Sequence, residues 1–212
     1  MASKERLIDY WESSGIVRDK KAIEAFRNTP REDFLKESKE EAYGDYPLPI
    51  GEGQTISQPT TVMIMTEALE LREGNKVLEV GTGSGYQAAI ISKIVGPKGK
   101  VVSTEIIKEL AEFAQKNIKK LGLKNVIVIN HDGSKGYEKE GPYDRIIITA
   151  ACPGIPKPLV QQLKEGGIIV APVGNLLEQK MIKARKNQGK LIEENLGDFM
   201  FVPLKGKYGH DY

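Results

Sequence analysis

Three glycines at alternate positions dominate the chemistry legible in this sequence. They sit in Glu79-Val80-Gly81-Thr82-Gly83-Ser84-Gly85-Tyr86, where an apolar run gives way to a helical pattern. Glycine there lets the backbone approach a ligand closely, and the start of the following helix favours a carboxylate or other anion by about 0.3–1 kcal/mol. Spacing narrows the ligand. A dinucleotide fingerprint, G-x-G-x-x-G, needs its third glycine at position 86, where this chain has Tyr86. A phosphate-cradling G-x-x-x-x-G-K-[ST] loop is absent. Glu105 closes the next apolar run, where an acid can accept both hydroxyls of a ribose. Asp132-Gly133 follows the third run and, taken alone, is an ordinary turn. Asp144 opens the fourth and reads as a structural or orienting group. Ser57 stands two residues before Pro59 and an apolar helical face, so on its own it reads as a helix N-cap. No G-x-S-x-G elbow accompanies it, which argues against a serine-hydrolase nucleophile.

These residues need a scaffold, and the apolar pattern supplies one. Short apolar runs at Lys76–Val80, Lys100–Thr104, Asn125–Ile129, Asp144–Thr149 and Gly167–Pro172 alternate with helical segments at about Ser84–Val95, Ile107–Leu121 and Lys157–Leu163. Apolar strands separated by helices predict an α/β doubly wound, mostly parallel sheet covered on both faces. From Gln179 to Val202 the pattern alternates around a turn at Asn187-Gln188-Gly189, which predicts antiparallel strands completing the sheet. Upstream, Leu7, Ile8 and Trp11 share a helical face. Asp19 can cap a second helix carrying Ala22, Ile23 and Phe26, and Val62, Met65 and Leu69 line a third. Residues 36–56 read as irregular, rich in Pro and Gly, with residues 44–53 able to close over a substrate. Trp11 reads as packing. The expected organisation is a single domain, 1–212, with N-terminal helices and a substrate loop (1–75), a cofactor-binding core (76–175) and C-terminal strands (176–212).

Composition bounds the partners. Lys+Arg 31 against Asp+Glu 29 leaves +2, which is not the balance of a protein built around a phosphate backbone. At 28% charged and 40% hydrophobic residues the chain is globular rather than disordered. One cysteine, Cys152, excludes an intramolecular disulfide and a cysteine-cage zinc site, and two histidines, His131 and His210, leave no HExxH. No signal-peptide pattern opens the sequence, and no apolar run approaches the roughly 18 residues of a membrane span. A soluble, cytoplasmic, metal-free protein without nucleic-acid or membrane partners is expected.

The E-x-G-x-G-x-G loop resembles the signature of class I S-adenosylmethionine-dependent methyltransferases. Blocks outside it narrow the resemblance. Asn28-Thr29-Pro30-Arg31-Glu32-Asp33-Phe34, Ala42 to Gly51, Gly53-Gln54-Thr55-Ile56-Ser57-Gln58-Pro59, Leu163-Lys164-Glu165-Gly166-Gly167 and Phe201-Val202-Pro203-Leu204 resemble the protein-L-isoaspartate O-methyltransferase family over nearly the whole chain. Some members have His after the proline where this chain has Thr60.

The resemblance implies a Rossmann-like methyltransferase fold and transfer of a methyl group from S-adenosyl-L-methionine to the free α-carboxylate of L-isoaspartyl residues in damaged proteins. The ester then cyclises to a succinimide, S-adenosyl-L-homocysteine is the other product, and a monomer is implied. It makes Ser57 catalytic, Glu79, Gly81, Gly83, Gly85, Glu105, Asp132 and Gly133 cofactor-binding, with Asp132 meeting the adenine amino group. Thr55, Ser57, Gln58 and the backbone around Val202 would bind substrate. A carboxylate with a pKa near 3.5 is already ionised at neutral pH, so the reaction needs no general base. The segment after the fourth strand, Thr149 to Gly154, lacks the Asn/Asp-Pro-Pro-aromatic box of amine methylation, and Cys152 reads as structural. Three alternatives remain at this stage: a methyltransferase for RNA or a small metabolite, a nucleotide-binding module without chemistry, and a nicotinamide oxidoreductase.

Overall fold

The computed structural model describes residues 3–210; Met1, Ala2, Asp211 and Tyr212 of the expected 1–212 span lie outside the described residues. Two helices lead. α1 (Lys4–Ser14) starts at Ser3, whose hydroxyl accepts from the Arg6 N–H, and ends at Gly15 in the left-handed region. α2 (Lys20–Arg27) is capped by Asp19, as its sequence predicts. After two short 3₁₀ turns come β1 (Leu48–Gly51) and β2 (Gln54–Ile56), then α3 (Pro59–Ala68).

The β1–β2 pair corrects the expectation of irregular chain over 36–56. It is an antiparallel hairpin closed by Glu52 and Gly53, both at positive φ (54° and 66°). Pro47 and Pro49 masked the signal, and Glu-Gly is a weaker turn marker than Asn-Gly or Asp-Gly. The expected mobile loop is thus partly a hairpin, anchored by Leu48 and Ile50, which are 5% and 1% exposed.

The remaining elements are β3 (Lys76–Val80), α4 (Tyr86–Val95), β4 (Lys100–Glu105), α5 (Lys108–Lys120), β5 (Val126–Asn130), β6 (Tyr143–Ile148), α6 (Lys157–Gln162), β7 (Leu163–Gly174), β8 (Gln179–Asn187) and β9 (Lys190–Phe199). They form a seven-stranded sheet in the order β5-β4-β3-β6-β7-β8-β9. β3 to β7 are parallel, while β8 and β9 join as consecutive antiparallel hairpins. β7 is longer than the sequence predicts, because its first residues pair irregularly with β6 near Tyr143.

Side-chain alternation splits the core across the sheet. Val77, Ile147, Ile168 and Val170 face a cluster shared with α1 to α5; Leu78, Ile146, Ile148 and Ile169 face one built with Leu159, Leu163 and Leu204. Trp11 is fully buried, edge-on to Phe26 at 4.7 Å, so it packs as expected. At the far end of β6, Asp144 accepts from the Lys76 N–H at 2.7 Å and pairs with Lys164 at 2.7 Å, a structural role. Cys152 is buried, and burial pushes its thiol up to about 12. Among the described residues no helix is long and apolar enough to cross a membrane, and no cluster of three or more His, Cys, Asp or Glu could hold a metal.

The sheet order fixes where a ligand goes. The chain runs outward from β3 to β4 and β5, then crosses back to β6 on the other side of β3. That reversal opens a crevice beyond the carboxyl ends of β3 and β6.

Candidate active site

A cleft enclosing about 840 Å3, its open mouth included, lies at that crevice. Its floor is the loop after β3. Gly81, Gly83 and Gly85 all have positive φ (97°, 54° and 89°). A Cβ on Gly81 would stand 2.5 Å from Thr149 Oγ1, and one on Gly83 3.2 Å from Ile50. The loop is therefore pressed against β6 on one side and the β1–β2 hairpin on the other, which only glycine permits.

Two acids flank this loop in different surroundings. Glu79, at the end of β3, is fully buried. Its Oε2 accepts a hydrogen bond from the Ser103 hydroxyl, which also meets Thr82 Oγ1 at 2.5 Å. Its Oε1 has no partner among the described residues. Burial, reinforced by repulsion from Glu105 and only partly offset by Ser103, pushes this carboxyl up to about 8, so it is mostly protonated at neutral pH. Glu105, at the end of β4, is 6% exposed. Its oxygens accept from the Gly83 N–H at 2.9 Å and the Ile107 N–H at 3.0 Å. A carboxylate has about four acceptor positions, so two remain for a pair of hydroxyls.

Asp132 and Gly133, expected to bind the cofactor, are placed differently. Gly133 lines the cleft, but Asp132 does not. The Asp132 carboxylate accepts from the Ser134 N–H (3.1 Å), the Ser134 hydroxyl (2.6 Å) and the Lys207 N–H (3.0 Å), and pairs with Lys135 at 3.3 Å. Partial burial opposes its charge, but these donors outweigh burial and hold the carboxyl below its usual range. Asp132 thus latches the C-terminal segment, whose Leu204 and Lys205 line the cleft. The sequence hides this because the donor at Lys207 lies 75 residues away.

The other wall carries Thr55, Ser57 and Val202, which line the cleft together; Gln58 does not join them. Gln58 is instead the residue before α3, extended at φ −49°, ψ 134°, with its side-chain oxygen 3.4 Å from the Thr61 hydroxyl. This corrects the N-cap reading of Ser57. Pro59 occupies the first helical position, the helix starts one residue later, and its free Thr60 N–H is taken by Asp45 Oδ1 at 2.9 Å. Ser57 lines the cleft and its hydroxyl bonds to no described residue, while its carbonyl accepts from Arg31 Nη2 at 2.9 Å.

Residues that the sequence left without a role complete this wall. Thr60, where some family members have His, accepts from Trp11 Nε1 at 2.7 Å and donates to Asp45 Oδ2 at 2.7 Å. Arg31 reaches three backbone carbonyls of the same region. Only the place of Arg31 within a family-like block, and of Thr60 directly after one, could have flagged them. Neither His131 nor His210 lines the cleft.

The orphaned Glu79 oxygen, the two free acceptor positions on Glu105 and the glycine cradle fit a ligand with an ammonium and a ribose, as S-adenosylmethionine has. Comparison with known proteins agrees. The family model described as protein-L-isoaspartate(D-aspartate) O-methyltransferase matches residues 2–209. Protein-L-isoaspartate O-methyltransferase 2 of Archaeoglobus fulgidus is 56% identical over 191 residues, covering 90% of this chain and 87% of that one. The Methanopyrus kandleri protein-L-isoaspartate O-methyltransferase is 46% identical over 98% of this chain and 93% of its own. A solved protein-L-isoaspartate O-methyltransferase superposes with a TM-score of 0.90 at 33% identity, covering 98% of this chain and 67% of that chain. A Plasmodium falciparum beta-aspartate methyltransferase solved with S-adenosyl-L-homocysteine gives 0.84 at 26% identity, covering 97% of this chain and 99% of its own. From its glycine cradle to its C-terminal strands, this chain belongs to the protein-L-isoaspartate(D-aspartate) O-methyltransferase family.

Proposed function

We propose that this protein methylates the free α-carboxylate of L-isoaspartyl residues in damaged proteins and peptides, with S-adenosyl-L-methionine as donor. The observation that carries this reading beyond family membership is the cleft itself. One wall is an acid-flanked glycine cradle, the other presents an unengaged serine hydroxyl, and no histidine stands between them. That is a positioning site rather than an acid–base site, which suits a nucleophile already ionised at neutral pH.

S-Adenosyl-L-methionine, when bound, supplies a methyl group on a positively charged sulfur that leaves as neutral S-adenosyl-L-homocysteine. Glu105 would hold the ribose hydroxyls, Glu79 would meet the amino-acid end, and Gly81, Gly83 and Gly85 would admit the ligand against the backbone. Gly133, packed without a side chain against Thr104 of β4, would leave room at the adenine end, while Asp132 would act through the C-terminal segment that it latches. Ser57 donates its hydroxyl to one acceptor oxygen and orients the other. So oriented, that oxygen would face the methyl donor, and no proton need be removed from it. Thr55 and the Val202 backbone hold the flanking peptide in extended form. Gln58 contributes only through the peptide that leads into α3. The ester cyclises to a succinimide without further help, and hydrolysis returns part of it to normal aspartate. A monomer in the cytoplasm, where the buried Cys152 stays reduced, completes the proposal.

The test is incubation with methyl-labelled S-adenosyl-L-methionine and two matched peptides, one with L-isoaspartate and one with L-aspartate. Base-labile label on the isoaspartyl peptide alone supports the reading. Label on RNA or a small acceptor, with none on either peptide, overturns it.

A further inference from the structure

Arg31 is fully buried, and among the described residues its guanidinium makes no direct ion pair. Its guanidinium donates to three backbone carbonyls: Nη1 to Ala42 at 2.5 Å, and Nη2 to Ser57 at 2.9 Å and to Tyr46 at 3.4 Å. Nε has no acceptor. No described carboxylate comes within salt-bridge distance of Arg31. The acids nearby are committed elsewhere: Asp45 uses both oxygens on Thr60, and Glu32 accepts from the Tyr43 hydroxyl at 2.5 Å. A buried cation is costly unless it is paired, and an apolar side chain of similar size is the easier way to fill a core. Arginine's planar fork suits a buried site where several carbonyls are tied in fixed directions.

The three carbonyls are not scattered. Two lie just before the hairpin that carries Thr55, and the third belongs to Ser57, so the guanidinium pins both ends of the acceptor-side segment. Ser57 faces the cleft and Arg31 does not, which places the cation behind the wall. In a trans peptide the N–H points opposite the carbonyl, so the bond to the Ser57 carbonyl polarises the Gln58 N–H away from Arg31. A charge held in this way is shielded from salt and acts over several ångströms through a low-dielectric wall.

We infer that Arg31 is a positioning residue for the acceptor: its buried, unpaired guanidinium fixes the Ser57 carbonyl and sets a positive charge behind the wall that receives an anionic carboxylate. The inference rests on the isoaspartyl reading and adds how the site selects a carboxylate over a neutral amide of the same shape. In the ligand-bound state the acceptor carboxylate adds a second negative charge to that of Asp45 in the field of Arg31.

The test uses the full chain saturated with S-adenosyl-L-homocysteine and two peptides of one sequence, β-linked at the same residue. One carries the free α-carboxylate, the other an α-carboxamide. Calorimetry should show the wild-type protein binding the carboxylate at least tenfold tighter. Arg31→Lys, which keeps the charge but loses the fork, should keep that preference while kcat falls. Arg31→Met should bind the two peptides alike with its affinity for S-adenosyl-L-homocysteine unchanged. Equal binding of both peptides by the wild type overturns the inference. So does a folded Arg31→Met that retains the preference, or a folded Arg31→Lys that loses it. Should Arg31→Met not fold, the wild-type and Arg31→Lys arms still decide. Failure of the wild type to methylate the isoaspartyl peptide at all is read separately and sinks the functional proposal instead.

Discussion

Glu79 offers a prediction that follows from its burial alone. A carboxyl pushed up to about 8 is protonated in roughly nine molecules of ten at pH 7. The rise from an ordinary 4.5 corresponds to a penalty on the charged form on the order of 5 kcal/mol, since each unit is about 1.4 kcal/mol. Its unpartnered oxygen is where the ammonium of an amino-acid tail would settle, and that cation restores the charged form. Ligand binding at pH 7 should therefore release up to about 0.9 proton. Titrating S-adenosyl-L-homocysteine in buffers of different ionisation enthalpy measures this directly. The release should vanish at pH 9.5, where the carboxyl is already ionised. It should vanish in Glu79→Gln, leaving only a small uptake by the ligand's own amine. A binding enthalpy independent of buffer at pH 7, or the same release in Glu79→Gln, would refute the reasoning. The ligand-free protein carries the matching signature. Between about 4.5 and 8 the unfolded chain has lost the Glu79 proton while the folded chain retains it, so stability falls as pH rises. The slope from this group is about 1.4 kcal/mol per pH unit, and denaturant unfolding of Glu79→Gln should lack it.

Ser57→Ala removes one hydrogen bond to a charged acceptor, so kcat/KM for an isoaspartyl peptide should fall by roughly 10- to 150-fold, from about 1.5–3 kcal/mol; unchanged turnover, or lost cofactor affinity, would remove Ser57 from its role. Glu105→Gln changes the acceptor that braces Gly83 and that would receive the ribose hydroxyls, and should weaken S-adenosyl-L-homocysteine by a similar factor in calorimetry while the protein remains folded. Gly81→Ala forces a Cβ to 2.5 Å from Thr149 Oγ1 at a φ of +97°, so unfolding in denaturant should show a loss of about 1–3 kcal/mol together with impaired ligand binding. Retained stability with normal binding would mean that the loop is not pressed against β6.

Much of this was readable in advance wherever the decisive interaction is local. The parallel strands, the Asp19 cap, the Asn187-Gln188-Gly189 hairpin turn and the glycine loop are each set by neighbouring residues, and each appears where its pattern lies. What the sequence concealed depends on residues distant along the chain. Asp45 reaches Thr60 and displaces Ser57 as the cap of α3; the Lys207 N–H reaches Asp132, which thereby holds the C-terminal segment. Arg31 binds carbonyls 11 to 26 residues away, and backbone carbonyls leave no trace in a sequence. The order of β8 and β9 was equally hidden, because either hairpin arrangement satisfies the same alternation.

The central claim is tested most directly by following one isoaspartyl peptide by chromatography and mass spectrometry in the presence of the protein and S-adenosyl-L-methionine. The account predicts a methyl ester first, then a succinimide, then a growing share of the normal aspartyl peptide, with no change in a matched aspartyl control. Persistence of the isoaspartyl peptide without ester, under conditions where calorimetry shows the cofactor bound, would contradict it.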